Sequence, residues 1–230
     1  MSDTLQPLHT PIKRRSFFQY AGATAGATAL VLAGCSKDND PTTTTTAGTV
    51  SLGTGDVGVL NYAYALEQLE AAFYAQVVKT PAADFLTGEL AYFTQIAAHE
   101  AIHRDFLKAA ITSAGGSLLP TLTPIFTTIN FSSRASVLNA AKTFEDLGVA
   151  AYNGAGILLK SQAYLTIAGQ IVSVEARHAA YVRDLLAPGS FADDNQVDAT
   201  GLDKQLTPTD VIAAAQPFIT EKLDASTVGK

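Results

Sequence analysis

From about residue 57 onward, apolar residues recur at intervals of three and four, and proline and glycine punctuate the pattern. The spacing predicts a first helix over about 57–79, closed by Thr80–Pro81, and a second over about 85–113, stopping at Gly115–Gly116. Residues 115–133 contain Pro120 and Pro124 and carry no helical stripe; that length can cross a domain from end to end. Ser133 is placed to cap a third helix over about 134–160, and a fourth over about 163–187 stops at Pro188. No proline interrupts any of the four, as long helices require. One further short helix is expected after Thr207–Pro208, a capping residue followed by proline at the first helical position.

The helical stripes are not wholly apolar. In the second helix Ile96, Leu107 and Ala110 share a face with Glu100 and His103. The stripe of the first helix runs through Leu60, Ala63, Glu67, Glu70, Tyr74 and Val77. The third carries Leu138, Ala141, Glu145, Gly148, Tyr152 and Ala155, and the fourth Ala168, Ile171, Glu175, His178, Val182 and Leu185. An unpaired buried carboxylate costs several kcal/mol, on the order of the net stability of a whole domain. Glutamates and histidines converging in one core need a compensating charge, and metal ions supply it.

The two halves of this region align with each other. LNYAYALEQLEAAFY (60–74) matches LNAAKTFEDLGVAAY (138–152) without gaps at an offset of 78, with Leu, Asn, Ala, Glu, Leu, Ala and Tyr coincident. IAAHEAIHRDF (96–106) matches IVSVEARHAAY (171–181) at an offset of 75, with Ile, Glu and His coincident. Two hairpins joined by a long crossover describe an all-α, ferritin-like four-helix bundle with a short C-terminal helix. One Glu from each of two helices plus Glu-x-x-His from the other two is the ligand set of di-iron and di-manganese carboxylate proteins. Here the set is Glu67, Glu100, His103, Glu145, Glu175 and His178. Residues i and i+3 share a helix face, so each Glu–His pair can bind from one side. Carboxylates and imidazoles suit two Fe or two Mn ions, and the absence of sulfur ligands argues against copper(I) or structural zinc. A lone Glu-x-x-His is commonly a solvated pair, but the chain has only seven glutamates. Even so, His103 and His178 each follow a glutamate by three residues.

Glu70 shares the stripe with Glu67, but its counterpart in the duplicate is Gly148, and so it reads as an extra ligand or a carboxylate behind the ligands. Tyr74 and Tyr152 lie two turns from Glu67 and Glu145, placed either to bond the ligands or simply to pack. His99 is turned about 100° off the stripe and is not expected to be a ligand.

The N-terminal region has a different character. KRRSFFQ (13–19) resembles a twin-arginine export signal carried by Arg14 and Arg15, and an Ala/Gly-rich apolar run leads to LAGC, which resembles a lipobox with Cys35 as the lipidated residue. Residues 1–35 therefore read as a signal peptide cleaved before Cys35, 36–56 as a Thr/Gly-rich flexible tether, 57–187 as the bundle and 188–230 as a C-terminal extension. Export and lipid anchoring in a bacterial cell envelope, at the periplasmic face or the cell surface, are the expectation. Cys35 is the only cysteine, so the domain has no internal disulfide and no CxxC site. Residues 1–34 carry a net +2, which takes the remainder from −6 to −8; an acidic domain without basic clusters is a poor nucleic-acid binder.

LEQLEAAFY, the two Glu-x-x-His pairs and FEDLGVAAYNGA together resemble the bacterial ferritin-like domain family related to desiccation-associated proteins. The resemblance covers about 57–187, and LTPTDVIAAAQPFI (206–219) resembles that family's C-terminal helix. It implies redox chemistry at a dimetal centre on peroxide, dioxygen or ferrous iron, with a small oxidant or metal ion as partner. The competing class is a non-catalytic surface or stress-protection protein using the metal as a scaffold. No cysteine is available for a rubredoxin-type iron, and the only methionine is Met1, so no haem held by methionine is expected. A lipid-tethered chain does not suit a closed storage shell, although other oligomers stay open.

Overall fold

The computed structural model describes residues 48–230. Arg14, Arg15 and Cys35, and with them the expected signal, the expected lipobox and most of the expected tether, lie outside the described residues. Four long helices carry the fold: α1 (Gly55–Lys79), α2 (Glu89–Ser113), α3 (Arg134–Gly156) and α4 (Gln162–Leu186). α1 packs along α2 and α3 along α4, and the two hairpins meet through α1 and α3. A short helix α5 (Pro208–Ala215) packs on α3. This is the ferritin-like bundle with a short C-terminal helix that the periodicity predicts. Among the described residues no helix is long and apolar enough to cross a membrane.

Local chemistry sets the helix ends. The side chains of Ser133, Ser161 and Thr207 each accept a backbone N–H three residues on, which satisfies a donor that a helix start leaves free. α2 begins at Glu89 rather than near 85, because Gly88 is left-handed at φ 92° and the Glu89 carboxylate takes the Leu86 N–H. α3 ends at Gly156 rather than near 160, because the Lys160 and Ser161 amides bond the Asp56 carboxylate of α1 at 2.8 and 2.9 Å.

Every residue of α1 from Gly58 to Ala71 is buried, which makes it the central helix instead of an amphipathic surface one. The crossover 115–133 covers its outer side. The Asn61 amide donates to Ser117 O and accepts from Leu119 N, both at 2.9 Å, and the Gln68 amide donates to Pro120 O and accepts from Leu122 N. Two side-chain amides thereby satisfy a backbone that has no ladder of its own. Phe73 of α1 meets Phe126 of the crossover and Phe144 of α3 edge-on, at centroid distances of 5.9 and 5.0 Å.

Two short strands were not visible in the pattern. Thr49–Ser51 (β1) and Lys222–Asp224 (β2) pair in parallel, with Val50 opposite Leu223. Residues 49–56, read from composition as the end of a tether, are therefore strand, turn and first helical residues, with Leu52 fully buried. The C-terminal extension likewise holds more than one helix. It continues through a short 3-10 turn into β2, and the Gln216 amide bonds Ile219 O, Glu221 O and Leu223 N to fold it back.

Arg134 ties three helix ends together. Its guanidinium donates twice to the Glu89 carboxylate through Nε and Nη2, and also to Leu185 O at the end of α4. The Glu89 side chain is only 3% exposed. The guanidinium holds the Glu89 carboxyl below its ordinary value of 4.5. A depressed carboxyl stabilises above its unfolded pKa, and the gain is lost as pH falls through the folded value. Glu89→Gln is expected to cost about 1–3 kcal/mol at pH 7. In thermal melts at a series of pH values, its difference from wild type should shrink below about pH 4.5.

Candidate metal centre

The six stripe residues converge on one place in the bundle core. Glu67 comes from α1, Glu100 and His103 from α2, Glu145 from α3, and Glu175 and His178 from α4. All four carboxylates are fully buried, and the two imidazoles nearly so. His103 Nδ1 lies 2.7 Å from Glu175 Oε1, 3.4 Å from Glu100 Oε2 and 3.6 Å from Glu67 Oε2. His178 Nδ1 lies 2.9 Å from Glu100 Oε1, 3.5 Å from Glu175 Oε2 and 3.5 Å from Glu145 Oε2. The two descriptions map onto each other when residues shift by the offsets of the internal repeat.

Two overlapping donor sets result: Glu67, Glu100, His103 and Glu175 in one, and Glu100, Glu145, Glu175 and His178 in the other. Glu100 and Glu175 belong to both, and each turns one oxygen toward each histidine. None of these short approaches has the alignment of a hydrogen bond. Nine buried side-chain polar atoms lack a partner among the described residues, and eight of them are the inward atoms of this cluster: both oxygens of Glu100 and Glu175, Oε2 of Glu67 and Glu145, and Nδ1 of His103 and His178. Ligands at right angles around an ion about 2.1 Å away stand about 3 Å apart. The inward atoms have that spacing, and oxygen with imidazole nitrogen is a donor set for a divalent transition metal. The cluster can hold metal ions.

The outer oxygens of the terminal glutamates are occupied. Tyr74 of α1 donates to Glu145 Oε1 on α3, and Tyr152 of α3 donates to Glu67 Oε1 on α1, each at 2.5 Å. The inward tyrosines of the sequence thus brace the duplicated helices crosswise, each holding the other's carboxylate by one oxygen and leaving the second free.

The electrostatics express the crowding. Burial drives Glu67 well above the carboxylate range, with the neighbouring Glu175 adding to it. Burial likewise lifts Glu145 to about 8, against the pull of His178. Burial alone would lower the two histidines, but the surrounding carboxylates outweigh it and raise both to about 12. Glu100 lies between them and is held at about 2, because the two imidazoles overcome its own burial. The cluster gathers positive charge as protons, and a bound cation supplies the same charge and releases them.

Residues 55–188 match the family described as the ferritin-like domain, more than half of the chain. The chain belongs to the ferritin-like domain family. No curated protein matches it.

Other residues of this ferritin-like domain take different places. Glu70 is buried but belongs to neither donor set. It occupies the space that Gly148 leaves on α3, where a Cβ would lie 3.0 Å from Glu70 Oε1. Burial, then Glu175, raises its pKa well above the usual range. His99 is the residue that the stripe did not reveal: its Nδ1 lies 2.9 Å from His178 Nε2. The Glu100–His103 and Glu175–His178 periodicity gives no hint of it, because the bond crosses from α2 to α4. An apolar cavity lined by Ala63, Leu107, Tyr152 and Ile171 among others adjoins the centre. Ala63, Leu107 and Ile171 stand four residues from Glu67, His103 and Glu175, one helical turn away.

Each tyrosine brace can be removed singly. Tyr74→Phe and Tyr152→Phe are each expected to lose about 1–3 kcal/mol, since a buried carboxylate oxygen is left without its donor. The two losses should be alike within about a factor of two, as the contacts are equivalent; urea unfolding followed by circular dichroism measures both.

Proposed function

We propose that this ferritin-like domain holds two iron or manganese ions and carries out redox chemistry on peroxide, dioxygen or ferrous iron. Glu67 and His103 would serve one ion, Glu145 and His178 the other, and Glu100 and Glu175 would be shared. The observation that supports this best is the set of eight unpartnered inward atoms, which divide four and four when each shared carboxylate gives one oxygen to each side. Bound Fe or Mn supplies two accessible oxidation states and Lewis acidity toward small oxygen species. The protein's own part is to fix the donors and keep bulk water away. Tyr74 and Tyr152 hold Glu145 and Glu67 in position, and the apolar lining around Ala63, Leu107 and Ile171 gives the centre a dry side.

The expected metal content is about two Fe or Mn per chain by elemental analysis after growth with both metals. Glu100→Ala removes a shared carboxylate and should lose most of the metal together with peroxide decomposition or ferrous oxidation. Chelation of the wild type should lower its melting temperature, because bound metal stabilises only the folded state. Full Fe or Mn occupancy with neither activity would leave the non-catalytic scaffold as the function.

We also infer that the chain is exported and anchored by lipid on Cys35. The order of Arg14–Arg15, an apolar run and LAGC supports it. Replacing Arg14 and Arg15 by Lys should keep the protein in the cytoplasm in cell fractionation. Cys35→Ala should abolish labelling by a radioactive fatty acid. Normal envelope delivery of the lysine variant would overturn the export route.

A further inference from the structure

The two halves of the cluster agree contact for contact, but their outer surroundings differ at one imidazole. On His178, Nδ1 faces the carboxylates and Nε2 faces away, toward His99 Nδ1 at 2.9 Å. The two ring planes differ by 8° and their centroids are 5.1 Å apart. With the nitrogens in contact, that separation sets the rings edge to edge, so the hydrogen bond runs in the ring plane as an imidazole N–H requires. Applying the repeat offset of 75 to His99 gives Val174, whose side chain can neither donate nor accept. The outer nitrogen of His103 makes no hydrogen bond among the described residues.

We propose that His99 is a positioning residue that makes the two metal positions unequal. For Nδ1 of His178 to bind a cation it must present a lone pair, which leaves the ring proton on Nε2. His99 Nδ1 is the protein atom placed to accept that proton. The bond fixes both the tautomer and the plane of His178 before metal arrives, whereas His103 is oriented by its own helix and the carboxylates alone. Outer partners of this kind are commonly worth about 10–100-fold in metal affinity. The position served by Glu145 and His178 is thus the tighter of the two, and His99 is the cause. The inference rests on the metal reading of the cluster.

Calorimetric titration of the metal-stripped full chain with Mn²⁺ tests it. His99→Ala should weaken one of the two bound ions by about 10–100-fold and leave the other within about twofold of wild type. His99→Asn, whose side-chain oxygen can take the place of Nδ1 as acceptor, should restore most of the lost affinity. A role in packing alone would lower the melting temperature without separating the two ions, and Asn would not rescue it. Unchanged affinities in His99→Ala, or equal weakening of both ions, would overturn the role of His99 while leaving the metal centre intact. A wild type that takes up no Mn²⁺ and no Fe²⁺ would overturn the metal reading and this inference with it.

Discussion

Four carboxylates packed against only two imidazoles, away from water, are the constraint to which the rest of the bundle answers. Like charges at this separation repel strongly in a medium that screens poorly, and each also loses its hydration. Among the described residues no arginine or lysine relieves the problem: the cationic partners within the cluster are the two histidines. The protein relieves the outer oxygens of Glu67 and Glu145 with tyrosine hydroxyls and leaves the inner atoms facing one another. An interior that ties off the peripheral lone pairs and leaves the central ones open can hold a cation.

The internal repeat explains how one chain reaches that geometry. Each hairpin brings a glutamate and tyrosine on one helix and a Glu-x-x-His on the other, and facing the hairpins creates both donor sets together. Each of the four long helices contributes at least one donor, so the cluster depends on the register of all four at once. Symmetry gives way where a second copy of a group has no room or no purpose. Glu70 fills the space that a side chain at position 148 would need, so only one of that pair can be large.

Much of this is legible in the sequence, for a physical reason: an ionisable residue on an apolar stripe violates the helical pattern, and a violation repeated at a fixed offset is hard to attribute to a solvated face. Glu67, Glu100, Glu145, Glu175, His103 and His178 all announce themselves in this way. The contacts that helical periodicity does not encode are lateral. Asn61 and Gln68 read as ordinary polar residues, yet they bind the crossover's backbone, because nothing in a helix's own period tells which segment will lie against it. His99 belongs to the same class. β1 and β2 are three residues each, too short for alternation to register, and their pairing joins segments more than 170 positions apart.

The all-round burial of α1 has a consequence for the chain during synthesis. α1 is the first of the four bundle helices to emerge, and from Gly58 to Ala71 the finished fold covers it on every side. The backbone that Asn61 binds lies 56 residues downstream. At about 5–20 residues per second this cover arrives about 3–11 s later, and β2 arrives later still. Through that interval α1 has only α2 to lie against and remains the segment of the nascent bundle most in need of a chaperone.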